Sequence, residues 1–172
     1  MRVLVAYGSK RGGTRGIAWE LHDALVERGL DVDVASVDDV RVVGTYDAAV
    51  IGSSLYAMRW RPSVRRFVKR NAETLRAMPV WLFSSGPLDA SAVEREIAPV
   101  RQVRALIARV GARGHQTFGG RLAGDAQGFP ASAMAKKHAG DWRDDGQIRA
   151  WAGEIAETLT PAPSTPGVST QR

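Results

Sequence analysis

Residues 1–14 read MRVLVAYGSKRGGT, an apolar strand that runs directly into a loop of small, hydroxyl and basic residues. An amphipathic helix follows from about Thr14. The glycines let the backbone turn tightly, and the unpaired N–H groups at the start of the helix carry a partial positive charge. The hydroxyls of Ser9 and Thr14 add hydrogen-bond donors. This junction predicts a site for a phosphate group.

The spacing of the loop argues against two common phosphate motifs. A Walker loop places Lys directly before its Ser or Thr, whereas Thr14 follows Gly13. The dinucleotide fingerprint G-x-G-x-x-G does not fit the positions of Gly8, Gly12 and Gly13. What remains is the pattern S-x-x-G-x-T. A glycine-rich turn that binds nothing is the alternative that this loop alone leaves open.

The composition limits the chemistry that the chain can perform. With 172 residues, 44% of them hydrophobic, the chain fits one domain with a sizeable core. Because cysteine is absent, redox chemistry requires a bound organic cofactor rather than a disulfide or an iron–sulfur cluster. The isolated histidines His22, His115 and His138 predict no metal site. The first residues enter a strand without a long apolar leader, so a cytoplasmic protein is expected.

Apolar runs alternate with helical patterns along the chain, which is typical of a parallel sheet covered on both faces. We therefore predict an α/β fold, a doubly wound five-stranded parallel sheet of order 2-1-3-4-5 with helices on both faces. The predicted strands are 2–7, 31–36, 48–52, 80–84 and 115–118. The predicted helices are 14–28, 62–75, 100–110 and 147–159, the last capped by Asp144 or Asp145.

Two stretches are predicted to stand apart from this regular core. Residues 119–141 form a connection long enough to be either functional or disordered. Residues 160–172 are rich in Pro, Ser and Thr and are expected to form a disordered tail, which leaves 1–159 as the folded domain. In such a sheet, ligands bind beyond the carboxyl ends of the strands, where the strand order reverses. The loops 8–14, 53–60 and 84–89 are predicted to meet there.

Six basic residues are concentrated around one predicted helix. They are Arg59, Arg61, Arg65, Arg66, Lys69 and Arg70. Three interpretations stay open: a solvated helix face, contact of helix 62–75 with an anionic membrane surface, and binding of a carboxylate-bearing substrate. The net charge of +6 favours acidic partners in general. No nucleic-acid-binding module is recognised, so nucleic acid is not an expected partner.

Over residues 1–159 the chain resembles the flavodoxin family, and most of all the bacterial flavodoxin-domain proteins that include menaquinone-dependent protoporphyrinogen oxidase. The resemblance rests on the opening loop and on Tyr46-Asp47, Ile51-Gly52-Ser53-Ser54, Phe67-Val68-Lys69, Met78-Pro79, Asp141-Trp142 and Ile155-Ala156. It implies a flavodoxin-like fold with FMN as the cofactor. It also implies an oxidoreductase that passes electrons to a quinone, or an electron-transfer protein that docks to a redox protein.

Carried over loop by loop, the resemblance implies three groups of cofactor contacts. The phosphate would meet Ser9, Lys10, Arg11, Gly12, Gly13 and Thr14. The flavin ring would lie beside Ser53, Ser54, Leu55, Tyr56 and Ala57. Its pyrimidine edge would meet Ser84, Ser85, Gly86, Pro87, Leu88 and Asp89. Tyr56 or Trp60 would stack on the ring, although packing beneath the basic helix is the alternative for Trp60.

The third loop departs from that of electron-carrier flavodoxins because it has no aromatic residue to cover the flavin. The resemblance therefore implies a flavin face open to a second, small-molecule substrate, whose carboxylates would meet Arg59, Arg61 or Arg121 near Trp60. The basic surroundings favour an anionic reduced flavin and raise its potential. No catalytic residue follows from the sequence, and membrane association stays open.

Overall fold

The computed structural model describes residues 1–122 and 139–160. The strands are β1 (Arg2–Gly8), β2 (Asp31–Ser36), β3 (Ala48–Tyr56), β4 (Arg59–Trp60), β5 (Val80–Ser85), β6 (Gly114–Phe118), β7 (Arg121–Leu122) and β8 (Gly140–Asp141). The parallel strands are ordered β2-β1-β3-β5-β6, which is the predicted 2-1-3-4-5 order. The predicted fold class is confirmed.

Helices cover both faces of the sheet. They are α1 (Gly13–Val26), α2 (Pro62–Arg70), α3 (Ala72–Arg76), α4 (Ser91–Glu94), α5 (Arg101–Val110) and α6 (Asp145–Leu159). One apolar cluster joins α1 and α6 to the sheet, and a second joins α2, α3 and α5 to its other face. The two clusters make the three-layer core that parallel strands require, because both of their faces must be buried.

The helices α1 and α6 lie within about two residues of their predicted bounds, since α1 ends at Val26 and α6 begins at Asp145. The apolar face of α1, from Ile17 to Leu25, is buried, and Gly29 follows the helix at φ +83°, a conformation that favours glycine. Asp144 caps α6, its Oδ1 accepting a hydrogen bond from the Gln147 N–H at 2.6 Å. These local signals position the helices that carry the phosphate loop and close the domain.

The prediction that β3 ends at residue 52 was wrong. The strand continues to Tyr56, then reverses through Ala57 and Met58 into β4, with Leu55 opposite Trp60 and Tyr56 opposite Arg59. The pairing with β5 also continues through Ser54. The expected loop 53–60 is therefore mostly a hairpin that stands above the carboxyl edge of the sheet.

The predicted helix 62–75 is two helices, because Asn71 interrupts it with φ −100° and ψ 16°. The Asn71 side-chain amide donates to the Phe67 carbonyl oxygen at 2.9 Å. Asparagine bonds to nearby backbone in this way and so favours helix ends over helix interiors.

Strands β7 and β8 pair at the two ends of the long segment 119–141, a pairing that the sequence did not reveal. The Trp142 N–H donates to the Gly120 carbonyl oxygen at 3.0 Å and ties the end of this segment back to β6. Residues 123–138, with the Ala-rich part of that segment, and 161–172, with the predicted tail, lie outside the described residues. In the part that is described, no helix is both long and apolar enough to cross a bilayer.

The backbone of the hairpin turn is strained, because two residues other than glycine adopt positive φ angles. Ala57 and Met58 adopt φ values of +46° and +61°, the two positive angles of a type I′ turn, for which Asn-Gly is the preferred pair. We expect Ala57→Asn with Met58→Gly to raise the free energy of unfolding by about 1 kcal/mol, since the left-handed conformation costs these residues energy. Urea unfolding without flavin measures this.

The matched control for the turn variant is Ala77→Gly, because Ala77 is exposed and has an ordinary φ of −83°. Glycine there should lower the free energy of unfolding, since it only increases the freedom of the unfolded chain. A turn variant no more stable than the wild type would contradict the interpretation of the hairpin as a strained turn.

Candidate cofactor-binding site

A cavity of about 960 Å³ lies at the carboxyl ends of β1, β3 and β5, where the strand order reverses. All three predicted loops border it. Its lining from the opening loop, the hairpin and the third loop includes Ser9, Lys10, Arg11, Gly13, Thr14, Ser54, Leu55, Tyr56, Ala57, Ser85, Gly86, Pro87, Leu88 and Asp89. A cavity of this volume at a topological switch point is typical of a cofactor site.

The opening loop is shaped to receive an anion at the start of α1. Gly12 adopts φ +82°, and its N–H donates to the Ser9 hydroxyl oxygen at 3.0 Å, which folds the loop over the helix end. Within the described residues, no side chain caps the start of α1. The Thr14 hydroxyl is buried and has no hydrogen-bond partner among the described residues. The oxygens of a phosphate group would accept from the N–H groups at the helix start and from this hydroxyl, so the loop fits a phosphate group.

Gly12, Ser53 and Ser84, three of the predicted contacts, do not line the cavity. Gly12 shapes the loop, whereas Ser53 and Ser84 are almost fully buried. The Ser53 hydroxyl oxygen accepts from the Arg61 N–H at 3.1 Å, and its O–H donates to the Ser54 carbonyl at 3.2 Å. The two serines lie behind the cavity wall and support it, because their hydroxyls are used by neighbouring elements.

A buried hydrogen-bond chain fixes the hairpin to the sheet. The Trp60 Nε1–H donates to the Ser84 hydroxyl oxygen at 2.9 Å, and that oxygen lies 3.0 Å from His115 Nε2. The Ser84 oxygen accepts from the indole, and the direction of its bond to His115 follows the tautomer of the imidazole ring. Burial lowers the pKa of His115 to about 4, which keeps the ring neutral.

The two aromatic residues of the hairpin have different environments. Trp60 borders the cavity but is 1% exposed and packs in the cluster under α2, which favours the packing alternative for this residue. Tyr56 is 42% exposed and lines the cavity. Tyr56 is therefore the aromatic side chain of the hairpin with a free surface toward a ligand.

The third loop is held by backbone contacts with the segment after β6. The Gly86 N–H donates to the Phe118 carbonyl at 3.0 Å, and the Gly120 N–H donates to the Pro87 carbonyl at 2.8 Å. A Cβ on Gly120 would lie 3.0 Å from the Gly86 carbonyl oxygen, so glycine permits this close approach. The wall that results contains no aromatic side chain between Ser84 and Asp89.

Positive charge dominates the described lining of the cavity. Its basic members are Lys10, Arg11, Arg59, Arg61, Arg65 and Arg121, and its acidic member is Asp89. Arg121 lies 4.0 Å from the Asp141 carboxylate, and its backbone packs against Gly13 of the opening loop. The pKa of Asp141 is lowered, chiefly by the hydrogen bond from the Arg143 side chain. This electrostatic environment suits an anionic ligand.

Sequence reasoning missed part of the lining. The additional residues are Pro62, Arg65, Ile97, Ala98, Val100, Thr117, Gly120 and Leu122. The sequence could have indicated Arg65, because a residue four positions after Arg61 lies on the same face of the predicted helix. No sequence signal indicated Ile97, Ala98 or Val100, because they reach the cavity only through the tertiary fold of the segment between α4 and α5. Among the described residues, no cluster of His, Asp or Glu fits a metal ion.

The doubly wound sheet, the phosphate-binding loop at the start of α1 and the cavity at the strand reversal define a flavin mononucleotide-binding domain of the flavodoxin class. The family model described as Flavodoxin domain matches residues 4–137, and the chain belongs to this family. FMN is the cofactor of its site. The unpartnered Thr14 hydroxyl and the uncapped helix end fit the FMN phosphate.

Two curated relatives carry the same name in different strains. Protoporphyrinogen IX dehydrogenase [quinone] of Escherichia coli strain K12 is 34% identical over 86 residues, which are 49% of this chain and 48% of that protein. The protein of the same name from Escherichia coli O157:H7 matches equally. The chain spans about half the length of the curated relatives it matches.

Solved structures of low identity share the fold. A flavodoxin from the domain Archaea is 18% identical with a TM-score of 0.61, covering 92% of this chain and 99% of that chain. Oxidised flavodoxin 1 from Bacillus cereus is 12% identical with a TM-score of 0.61, covering 93% and 100%. Rubredoxin oxygen:oxidoreductase from Desulfovibrio gigas is 14% identical with a TM-score of 0.61, covering 92% of this chain and 36% of that chain.

The buried His115 predicts a specific pH dependence of stability. Its pKa falls from 6.5 in the unfolded chain to about 4 in the folded protein, so the unfolded state binds more protons between these values. The free energy of unfolding of the wild type should fall by up to about 3 kcal/mol, relative to His115→Gln, as the pH drops through that window. Urea unfolding at several pH values measures the difference.

The Gln variant is matched because its side-chain oxygen can still accept from Ser84 while carrying no titratable group. Other acidic groups titrate in both proteins and cancel in the comparison. A wild-type minus variant difference that stays constant from pH 7 to pH 4.5 would show that His115 does not carry the effect.

Proposed function

We propose that this chain is an FMN-dependent oxidoreductase that removes electrons from an amphipathic, carboxylate-bearing substrate of the protoporphyrinogen type and delivers them to a quinone. The observation that carries the proposal is the combination of a cation-rich cavity with a third loop that has no aromatic cover. The name of the Escherichia coli relatives supports both the substrate class and the acceptor.

The chain's own residues have separable tasks in this proposal. Ser9, Gly13 and Thr14 hold the phosphate through backbone N–H groups and hydroxyls, while Tyr56 packs against one side of the ring system. Gly86 and Pro87 border the pyrimidine edge through their backbone. FMN, when bound, takes up two electrons from the substrate and releases them to a quinone, which leaves as the quinol with two protons.

The uncovered side of the cavity continues into a second groove of about 760 Å³. The two spaces share Met58, Arg59, Ala98 and Val100. Beyond them, the groove is lined by Pro99, Arg101, Gln102, Arg104 and Ala105. The described lining of the groove is therefore apolar apart from Gln102 and three arginines, and it contains no carboxylate.

This groove suits a flat apolar molecule with carboxylate substituents, because the apolar body buries against the apolar lining while the charges meet guanidinium groups. The Gln102 side-chain oxygen accepts from the Trp60 N–H at 2.9 Å, which fixes α5 against the hairpin. Arg59 is exposed at the junction of the two spaces, a position from which it can orient the substrate. Arg121, in contrast, lies beside the opening loop.

The outward side of α2 bears the exposed cations Arg66, Lys69 and Arg70. We extend the proposal to a peripheral contact of this side with anionic lipid, which would bring the chain to the membrane where quinones dissolve. A solvated helix face is the alternative, and it requires no partner.

The competing function is an electron carrier that docks to a redox protein and performs no substrate chemistry. The flavodoxins among the structural neighbours favour it at the level of fold. The cation-rich cavity favours the oxidoreductase, because positive charge stabilises the reduced anionic flavin and raises its potential. A carrier of low-potential electrons needs the opposite electrostatics.

The decisive experiment supplies protoporphyrinogen and a menaquinone analogue to the FMN-loaded chain and records porphyrin fluorescence. We expect quinone-dependent formation of porphyrin well above the rate with free FMN, and a flavin midpoint potential at or above that of free FMN. No acceleration, together with a second-electron potential far below that of free FMN, would favour the carrier. The apo-protein is the control for chemistry that does not involve the flavin.

The groove predicts a loss of substrate affinity when its cations are removed. Arg101→Gln with Arg104→Gln should raise the Kd for protoporphyrin, used as a product that does not turn over, by about tenfold or more, since each charge-assisted contact is worth 1.5 kcal/mol or more. Fluorescence titration measures this Kd.

The control for the groove variant is Arg109→Gln, because Arg109 lies on the same helix but does not line the groove. It should leave the Kd for protoporphyrin unchanged. The affinity for FMN should be unaffected in all of these proteins. Equal loss of porphyrin affinity in the control would assign the effect to net charge instead of the groove.

A further inference from the structure

Two half-buried arginines of the basic cluster, Arg61 and Arg65, line the same cavity as the opening loop. Arg61 precedes α2, and Arg65 lies one turn further along the same helix face, its N–H bonded to the Arg61 carbonyl at 3.1 Å. Both line the FMN cavity together with Ser9 and Lys10. The basic helix therefore has an inward side in addition to its exposed side.

The position of Arg61 is fixed at the strand reversal itself. Its N–H donates to the hydroxyl of Ser53, which is the residue paired with Gly8 across β1 and β3. A Cβ on Gly8 would lie 3.5 Å from Arg61 Cδ and would overlap Val64. The Arg61 side chain thus crosses the end of β1, one residue before the phosphate loop begins.

Of the five buried side-chain atoms that have no hydrogen-bond partner within the described part of the chain, three belong to residues that line this cavity. They are the Arg61 Nε, the Arg65 Nε and the Thr14 hydroxyl oxygen. Leaving a buried N–H unsatisfied is costly, and a charged group costs more than a neutral one. Unpartnered donors on two different elements that line one cavity fit an anion bound between them.

We propose that Arg61 and Arg65 form the second wall of the FMN phosphate site, facing the opening loop across the phosphate group. The inference rests on FMN as the cofactor and not on the identity of the substrate. It moves Arg61 from the expected substrate contacts to the cofactor and adds Arg65, which the sequence did not single out. The loop supplies N–H groups and hydroxyls, and α2 supplies the two charges that neutralise the dianion.

This arrangement makes the chain selective for a phosphorylated flavin. Riboflavin fills the ring site but leaves both guanidinium groups unpaired, so it should bind much more weakly than FMN. Because the attraction is between charges, FMN affinity should also weaken with ionic strength, whereas riboflavin affinity should not.

The test compares FMN with riboflavin in Arg61→Gln with Arg65→Gln, using quenching of flavin fluorescence on apo-protein. We expect the Kd for FMN to rise by about tenfold to a hundredfold, with the Kd for riboflavin changed less than about twofold. The dependence of FMN affinity on potassium chloride should decrease in the variant. Arg66→Gln, an exposed neighbour on the same helix, is the matched control and should bind both flavins as the wild type does.

Three results would overturn the proposal. Wild-type FMN affinity in the double variant would show that the arginines do not meet the phosphate. Equal weakening of FMN and riboflavin would assign them to the ring or to the fold. If the double variant does not fold, the single variants Arg61→Gln and Arg65→Gln are measured instead, and unchanged discrimination between the flavins in both of them would contradict the proposal.

Discussion

The close approach of α2 to the end of β1 is the constraint on which the site depends. Gly8 pairs with Ser53, and Val64 occupies the space that a side chain at position 8 would need. This contact brings the basic helix against the phosphate loop. It also leaves the hydroxyl of Ser53 free to bind the Arg61 backbone at 3.1 Å. A larger residue at position 8 would push α2 away and open the cavity at the point where the cofactor's charge is held.

The buried hydroxyl of Ser84 connects the other loops around the cavity through hydrogen bonds. Ser84 links Trp60 of the hairpin to His115 of β6, so the ring-binding hairpin, the third loop and the last strand share one hydrogen-bond chain. Each group in the chain is nearly enclosed, and an unsatisfied member would be costly. The loops around the flavin are therefore held by the sheet, while their exposed residues, such as Tyr56, remain available to the ligand.

Charge divides the cavity into regions with different tasks. The inner cations lie beside the phosphate loop, whereas Arg59, Arg101 and Arg104 border the groove that leads away from it. An amphipathic anion can occupy the outer region while the phosphate occupies the inner one, since each has its own set of guanidinium groups. The oxidoreductase that we propose uses both regions, but the selectivity for FMN over riboflavin depends on the inner one alone.

The sequence by itself determined the strand order, the capping of α6 by Asp144 or Asp145 and the phosphate loop, because these follow from local periodicity and turn chemistry. It did not reveal the hairpin after β3, the break at Asn71 or the β7–β8 pairing, which depend on contacts between distant segments. Contacts between distant segments also explain why Tyr56 is exposed whereas Trp60 is buried. Both follow one short strand and look equivalent, and only the packing of α2 and α5 decided which ring is buried.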